Sequence, residues 1–186
     1  MINMENLGII KKEGTVFVLV DIQEKFVPVI DNIEKVILNV NILIEVSKIL
    51  KIPLIVTEQY PKGLGKITDK IFLPENIKAI EKLNFSCFQS KDFVQKIKEL
   101  NIKTIILFGV EAHVCILQTA IDAIKNGIEI HVVVDAISSR SFENKKIALE
   151  RMKQSNVFLV STEMIIFQLL EKAGTDEFKS ISKLIR

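Results

Sequence analysis

The chain reads as an α/β fold built on a parallel sheet with helices on both faces, and three observations carry that reading. Apolar, β-branched runs alternate along the chain with segments whose apolar residues recur every three or four positions. The strand-like runs are apolar throughout, as strands buried on both sides are, and do not alternate apolar with polar. With 186 residues, 48% of them hydrophobic, and a mean hydropathy of +0.32, the chain is long and apolar enough to bury a substantial core. No internal repeat or low-complexity linker divides it, so a single domain over 1–186 is expected.

The elements follow in order. Residues 15–21, TVFVLVD, form a buried strand ending in an acid. An amphipathic helix follows, with Ile33, Val36, Ile37, Val40, Leu43, Ile44 and Ile49 on its apolar stripe, and Pro53 stops it. Residues 53–58, PLIVTE, give a second strand, and the Gly- and Pro-rich stretch 59–76 a long loop. A short third strand lies within 79–86, then a helix over 90–101 capped by Ser90. TIILFG (104–109) is the fourth strand and 112–127 a helix ended by Gly127. The fifth strand is 128–136, followed by a helix over 141–156, a sixth strand at 157–161, and a last long helix over 162–174.

Composition narrows the function. The net charge of +2 comes from 25 basic and 23 acidic residues interleaved along the chain, so no basic stripe marks a nucleic-acid surface. No apolar run reaches the length of a bilayer span. The expected partner is therefore a small molecule, with neither nucleic acid nor membrane involved. The first residues lack the apolar centre of a signal peptide and the arginines of a transit peptide, which points to a cytoplasmic location. Cys87 and Cys115 are too few for a disulfide framework.

In open parallel sheets, ligands bind beyond the carboxyl ends of the strands, where strand order reverses. The residues expected there are Asp21, the trio Thr57, Glu58 and Gln59, the stretch from Gly109 to Cys115, and Asp135, with Lys82 in or beside the third strand. Each has a structural reading as well: a cap, a surface lysine, or an apolar filler in the case of cysteine. Cys115 stands out because it follows a strand-end glycine at the start of a helix, where the helix dipole favours a thiolate. Cys87 has no such setting. His113 lies two residues before Cys115, a spacing at which helical side chains diverge, and His131 falls inside a strand as a satisfied core histidine. There is no HExxH, CxxC, GxGxxG after a strand, or GxxxxGK[ST], so neither a metal nor a nucleotide cofactor is expected.

VLVDIQEKF, TEQYPKGLG, EKLNFS and FGVEAHVCILQTA, in this order, resemble the isochorismatase-like cysteine hydrolase family. VVDAISSRS, ALERMKQSNVFLVSTEMIIFQLL and FKSISKLIR resemble its isochorismatase domain-containing subgroup. The resemblance implies an α/β/α sandwich with a six-stranded parallel sheet, order 3-2-1-4-5-6, and a triad of Asp21, Lys82 and Cys115. It implies a cis peptide at Val110–Glu111, an oxyanion hole from the N–H groups of Glu111 and Cys115, and a homo-oligomer. Leu83 departs from the smaller residue expected after the lysine. The histidines of the metal-binding nicotinamidase branch are missing after strand two. A nucleophilic cysteine also argues against vinyl-ether cleavage of isochorismate itself.

The expected chemistry is hydrolysis of a small amide-like substrate through a thioester. Gln23, Phe26, Glu58, Gln59 and Tyr60 are the candidates to line the substrate pocket. The rival reading is a non-catalytic oligomeric binding or scaffold protein on the same fold.

Overall fold

The computed structural model describes residues 7–185. Its strands are β1 (Thr15–Val20), β2 (Leu54–Gln59), β3 (Ile80–Lys82), β4 (Thr104–Val110), β5 (Glu129–Ser138) and β6 (Phe158–Val160). They pair in parallel as one sheet in the order β3-β2-β1-β4-β5-β6. The helices are α1 (Ile33–Ile49), the single turn α2 (Pro61–Leu64), α3 (Lys91–Glu99), α4 (Leu117–Lys125), α5 (Phe142–Gln154), α6 (Thr162–Leu170) and α7 (Asp176–Ile181). One layer joins α1, α6 and α7; the other joins α4 with α5 and with a short 3₁₀ turn, Cys87–Gln89, that leads into α3. All six residues of β1 are buried, which explains their unbroken apolar run.

Several elements differ from the sequence reading. β3 keeps only three residues, because it is an edge strand paired on one side. The helix expected from Ala112 begins instead as a π-helical turn, Ala112–Ile116, before α4. α7 was not anticipated; it is short, and its start is marked by the Thr175 hydroxyl, which accepts from the Phe178 N–H. β5 runs past Asp135 to Ser138, with a register shift against β4 between Leu107 and Gly109. Asp135 therefore does not reach the strand-end rim. Its carboxylate accepts from the Thr162 N–H and hydroxyl at 2.8 and 2.9 Å and anchors the start of α6.

Where β1 and β4 meet at their carboxyl ends, Val20 pairs with Gly109. Gly109 has φ 124°, and a Cβ there would overlap the backbone oxygen, nitrogen and carbonyl carbon of Val20. Glycine is thus required on two counts, and it lets β4 close tightly on β1 just before the chain turns toward Cys115. Gly109→Ala should destabilise the fold by at least about 2 kcal/mol, read as a lower denaturation midpoint in urea.

At the opposite end of the sheet, His131 is fully buried and stacked on Phe158, with ring centroids 4.9 Å apart. Nε2 meets Glu129 at 2.7 Å, but among the described residues Nδ1 has no hydrogen-bond partner, so this differs from the satisfied core histidine expected from sequence. Burial holds His131 below its ordinary pKa, although Glu129 pulls the other way. The unfolded chain therefore takes up this proton first as pH falls. Stability should hold above pH 6.5, the ordinary value, and decline below it. Urea titrations at about pH 7.5 and about pH 5.5 should show the decline, and His131→Phe should flatten it.

Candidate active site

Asp21 follows β1 directly and adopts the left-handed region, φ 55°, which Asp tolerates better than most residues. This turns its carboxylate over the end of β2. Thr57, on β2, donates its hydroxyl to Asp21 Oδ1 at 2.7 Å. Two residues on, and hence on the same face of the strand, Gln59 presents its side-chain oxygen. Lys82, on the far side of β2, reaches across to meet both, at 2.7 Å from Asp21 Oδ2 and 2.7 Å from Gln59 Oε1. The third ammonium proton lies between the carbonyls of Phe85 and Asn84, at 3.2 and 3.5 Å. Asp21 and Lys82 thus form an ion pair whose side chains are 0% and 1% exposed.

Cys115 arrives from the other side. The Val110–Glu111 peptide is cis, and the π turn that follows carries an Ile116 N–H to Glu111 carbonyl bond of 3.2 Å. The extra residue of a π turn re-aims the side chains ahead of it. Cys115 Sγ lies 3.9 Å from Gln59 Oε1 and within hydrogen-bonding reach of Asp21. The sulfur is almost sealed, with Cys115 4% exposed. Asp21, Lys82 and Cys115 therefore converge on one point at the crevice between β1 and β4.

The electrostatics differ from the sequence expectation of a dipole-stabilised thiolate. Burial, and then the negative charge of Asp21, push the Cys115 thiol up from its ordinary pKa, against the pull of Lys82. Burial alone would lower Lys82, but the Asp21 carboxylate and the two nearby cysteines outweigh it and hold the ammonium above its ordinary value. The resting site therefore pairs a neutral thiol with a full ion pair.

A family profile described as the isochorismatase domain matches residues 15–164. The chain belongs to the isochorismatase family. Within it, the chain falls in the isochorismatase domain-containing subgroup: it is 40% identical to isochorismatase domain-containing protein 2 of Danio rerio over 183 residues, 98% of this chain and 92% of that one. Isochorismatase domain-containing protein 2A of Mus musculus is 37% identical, over 97% and 87% of the two chains. A solved structure of a MAR1 ribonuclease from Caenorhabditis elegans superposes with a TM-score of 0.89 at 38% identity, covering 95% of this chain and 91% of that one. The family and its fold make the chain a member of a hydrolase family.

Not every pocket candidate of this isochorismatase-family chain is free to meet a ligand. Gln23 is fully buried, and its amide grips the backbone of the neighbouring segments: it accepts from Gln59 N–H at 2.8 Å and donates to the carbonyls of Gln59 and Gly65 at 3.0 and 2.6 Å. Glu58 accepts from the Ile67 N–H at 2.7 Å and pins the loop after β2. Gln59 spends its oxygen on Lys82 and its nitrogen on the Leu83 carbonyl, at 2.6 Å. Of these three expected pocket residues, Gln23 and Glu58 are held by backbone groups, and Gln59 turns its oxygen to Lys82 and Cys115. Phe26 is half-buried against the core. Tyr60 is exposed, and with Pro61, Lys62, Glu81, Lys82 and Leu83 it borders a cavity of about 400 Å³. Leu83 points out to solvent, so its bulk leaves the path of Lys82 to Asp21 clear.

Thr57 was noted in the sequence only as a strand-end residue; its pairing with Val20 across the ladder is what makes it the partner of Asp21. Cys87 also has more of a setting than its sequence suggested. It is fully buried behind the site, in reach of Thr57 and Thr119, and its thiol is pushed up to about 11, first by burial. Among the described residues no cluster of three His, Cys, Asp or Glu side chains is placed to hold a metal ion, and no helix is long and apolar enough to cross a membrane.

Iodoacetamide should separate the two cysteines. Mapping of the labelled peptides under native conditions should find Cys115 modified while Cys87 stays free until the chain is unfolded. Labelling of Cys87 at an equal or greater rate would remove the reason to single out Cys115.

Proposed function

We propose that this chain is a cysteine-dependent hydrolase of small amide-like substrates, with Asp21, Lys82 and Cys115 as its catalytic triad. One observation carries the reading: a sealed ion pair stands against a sealed thiol. Burying charges costs several kcal/mol per ion, and such clusters concentrate where chemistry requires them.

The thiol is neutral at rest, so its proton must leave as the carbon–sulfur bond forms. Asp21 accepts that proton while the sulfur attacks the substrate carbonyl, and Lys82 balances the negative charge that develops on sulfur. The carbonyl electrons move onto oxygen, and the N–H groups of Glu111 and Cys115 receive that oxyanion. The tetrahedral intermediate collapses with cleavage of the carbon–nitrogen bond. The proton held by Asp21 goes to the departing amine, leaving a thioester. Asp21 then takes a proton from water as the hydroxyl adds to the thioester. Collapse releases the acid product, and the sulfur recovers its proton from Asp21.

We propose a small molecule as substrate because the sulfur lies too deep for a polymer backbone to reach. We propose a homo-oligomer from the family resemblance, and a cytoplasmic location and one domain over the whole chain from the sequence itself. The ribonuclease name of the nematode relative makes single-stranded RNA a necessary control.

The test is a panel of small amides, ureas and carbamoyl compounds, with RNA alongside. Turnover of an amide by the wild type should vanish in Cys115→Ala. Asp21→Asn should lose on the order of 10²–10⁴-fold in rate per folded molecule, and the losses should not add in the double variant. Because Asp21→Asn strands the Lys82 charge, its melting temperature should also fall. Removing both charges with Asp21→Asn and Lys82→Met should recover stability without recovering turnover. RNA cleavage that disappears with Cys115 would sink the small-molecule reading, and full amide turnover in Cys115→Ala would sink the triad.

A further inference from the structure

We propose that Gln59 is a positioning residue, one that holds the Lys82 ammonium against Cys115 so that its charge is shared between the thiol and Asp21. The inference rests on the triad reading above.

The geometry assigns Gln59 a single orientation. Its Nε2 donates to the Leu83 carbonyl at 2.6 Å and its Oε1 accepts from Lys82 Nζ at 2.7 Å. Rotating the amide by half a turn would set two donors against each other at Lys82 and two acceptors at Leu83. The oxygen is therefore locked toward the site, where it is also 3.9 Å from Cys115 Sγ. Gln59 is itself fixed from behind. The amide of Gln23 binds both its backbone N–H and its carbonyl, and anchors in turn to the Gly65 carbonyl.

An ammonium has three protons to place, and here two go to Asp21 and Gln59 and the third lies between the carbonyls of Phe85 and Asn84. Two of these acceptors also reach the sulfur, the charged Asp21 and the neutral Gln59. Without Gln59, the ammonium would settle toward the Asp21 carboxylate and the carbonyls of Phe85 and Asn84, and less of its charge would face the thiol. The thiolate forming during attack would then lose its counter-charge, and Asp21 would be held more tightly and become a poorer proton acceptor. A misplacement on the scale of 1 Å can cost on the order of a hundredfold in rate.

The test uses iodoacetamide, a small amide electrophile that reports attack by sulfur without requiring the natural substrate. The rate of Cys115 alkylation is followed by peptide mass between about pH 7 and about pH 10, in wild type, Asp21→Asn and Gln59→Met. Methionine keeps the length of glutamine and removes the acceptor. At the neutral end, where attack needs Asp21, Gln59→Met should react at least about tenfold more slowly than wild type. Toward the alkaline end, where hydroxide begins to share with Asp21 in removing the proton, the gap should narrow. A purely structural role for Gln59 would leave the profile unchanged or lower it evenly, and either result would overturn the proposal. If Gln59→Met does not fold, Gln59→Asn, which withdraws the oxygen by one methylene, serves in its place with the same expected profile. If Asp21→Asn keeps the neutral-pH rate, the triad reading itself fails. If Asp21→Asn loses that rate and Gln59→Met keeps it, only the positioning role fails.

Discussion

The ion pair between Lys82 and Asp21 is the constraint on which the rest of the site depends. A buried carboxylate and a buried ammonium are tolerated only when paired and when their remaining hydrogen-bonding capacity is met. The sheet order arranges this. Asp21 leaves β1 and Lys82 sits on β3, so the pair must span β2. The intervening strand then offers two partners from one face, Thr57 to the carboxylate and Gln59 to the ammonium. Three adjacent parallel strands thus supply one charged group, its counter-charge and the polar groups between them.

The sulfur comes from the other half of the molecule. β4 lies on the opposite side of β1 from β2, and the strand order reverses at that point. Such reversals leave a crevice at the carboxyl ends of the strands. Gly109 brings β4 close enough to β1 to narrow that crevice, and the π turn aims Cys115 into it. The charges and the nucleophile therefore belong to separate segments of the chain, and only the completed sheet brings them together.

Much of this was legible in the sequence because burial and strand direction leave simple marks. Continuous apolar runs announced a doubly covered sheet, and the acid closing TVFVLVD announced where a rim would be. The subtler features leave no such mark. A π turn has no composition that separates it from the α-helix it opens, so the facing of Cys115 could not be read from spacing. The backbone hydrogen bonds of Gln23 and Glu58 were hidden for a related reason. A polar side chain at a strand end looks the same whether it awaits a ligand or ties down a loop, and here the backbone of Gln59, Gly65 and Ile67 claims them. The direction of the Cys115 shift was also hidden, since helix position is local whereas burial is a property of the whole fold.

The near-complete enclosure of Cys115 has a consequence for the durability of the sulfur. Peroxides and electrophiles attack thiolates, and they must reach them first. A sulfur that keeps its proton and shows little of its surface meets these conditions only when a small molecule is seated before it. Its reactivity is held in reserve, released by a neighbouring carboxylate only when a molecule small enough to enter stands before it. The same burial that makes the thiol a reluctant acid thus slows its oxidative wear between encounters.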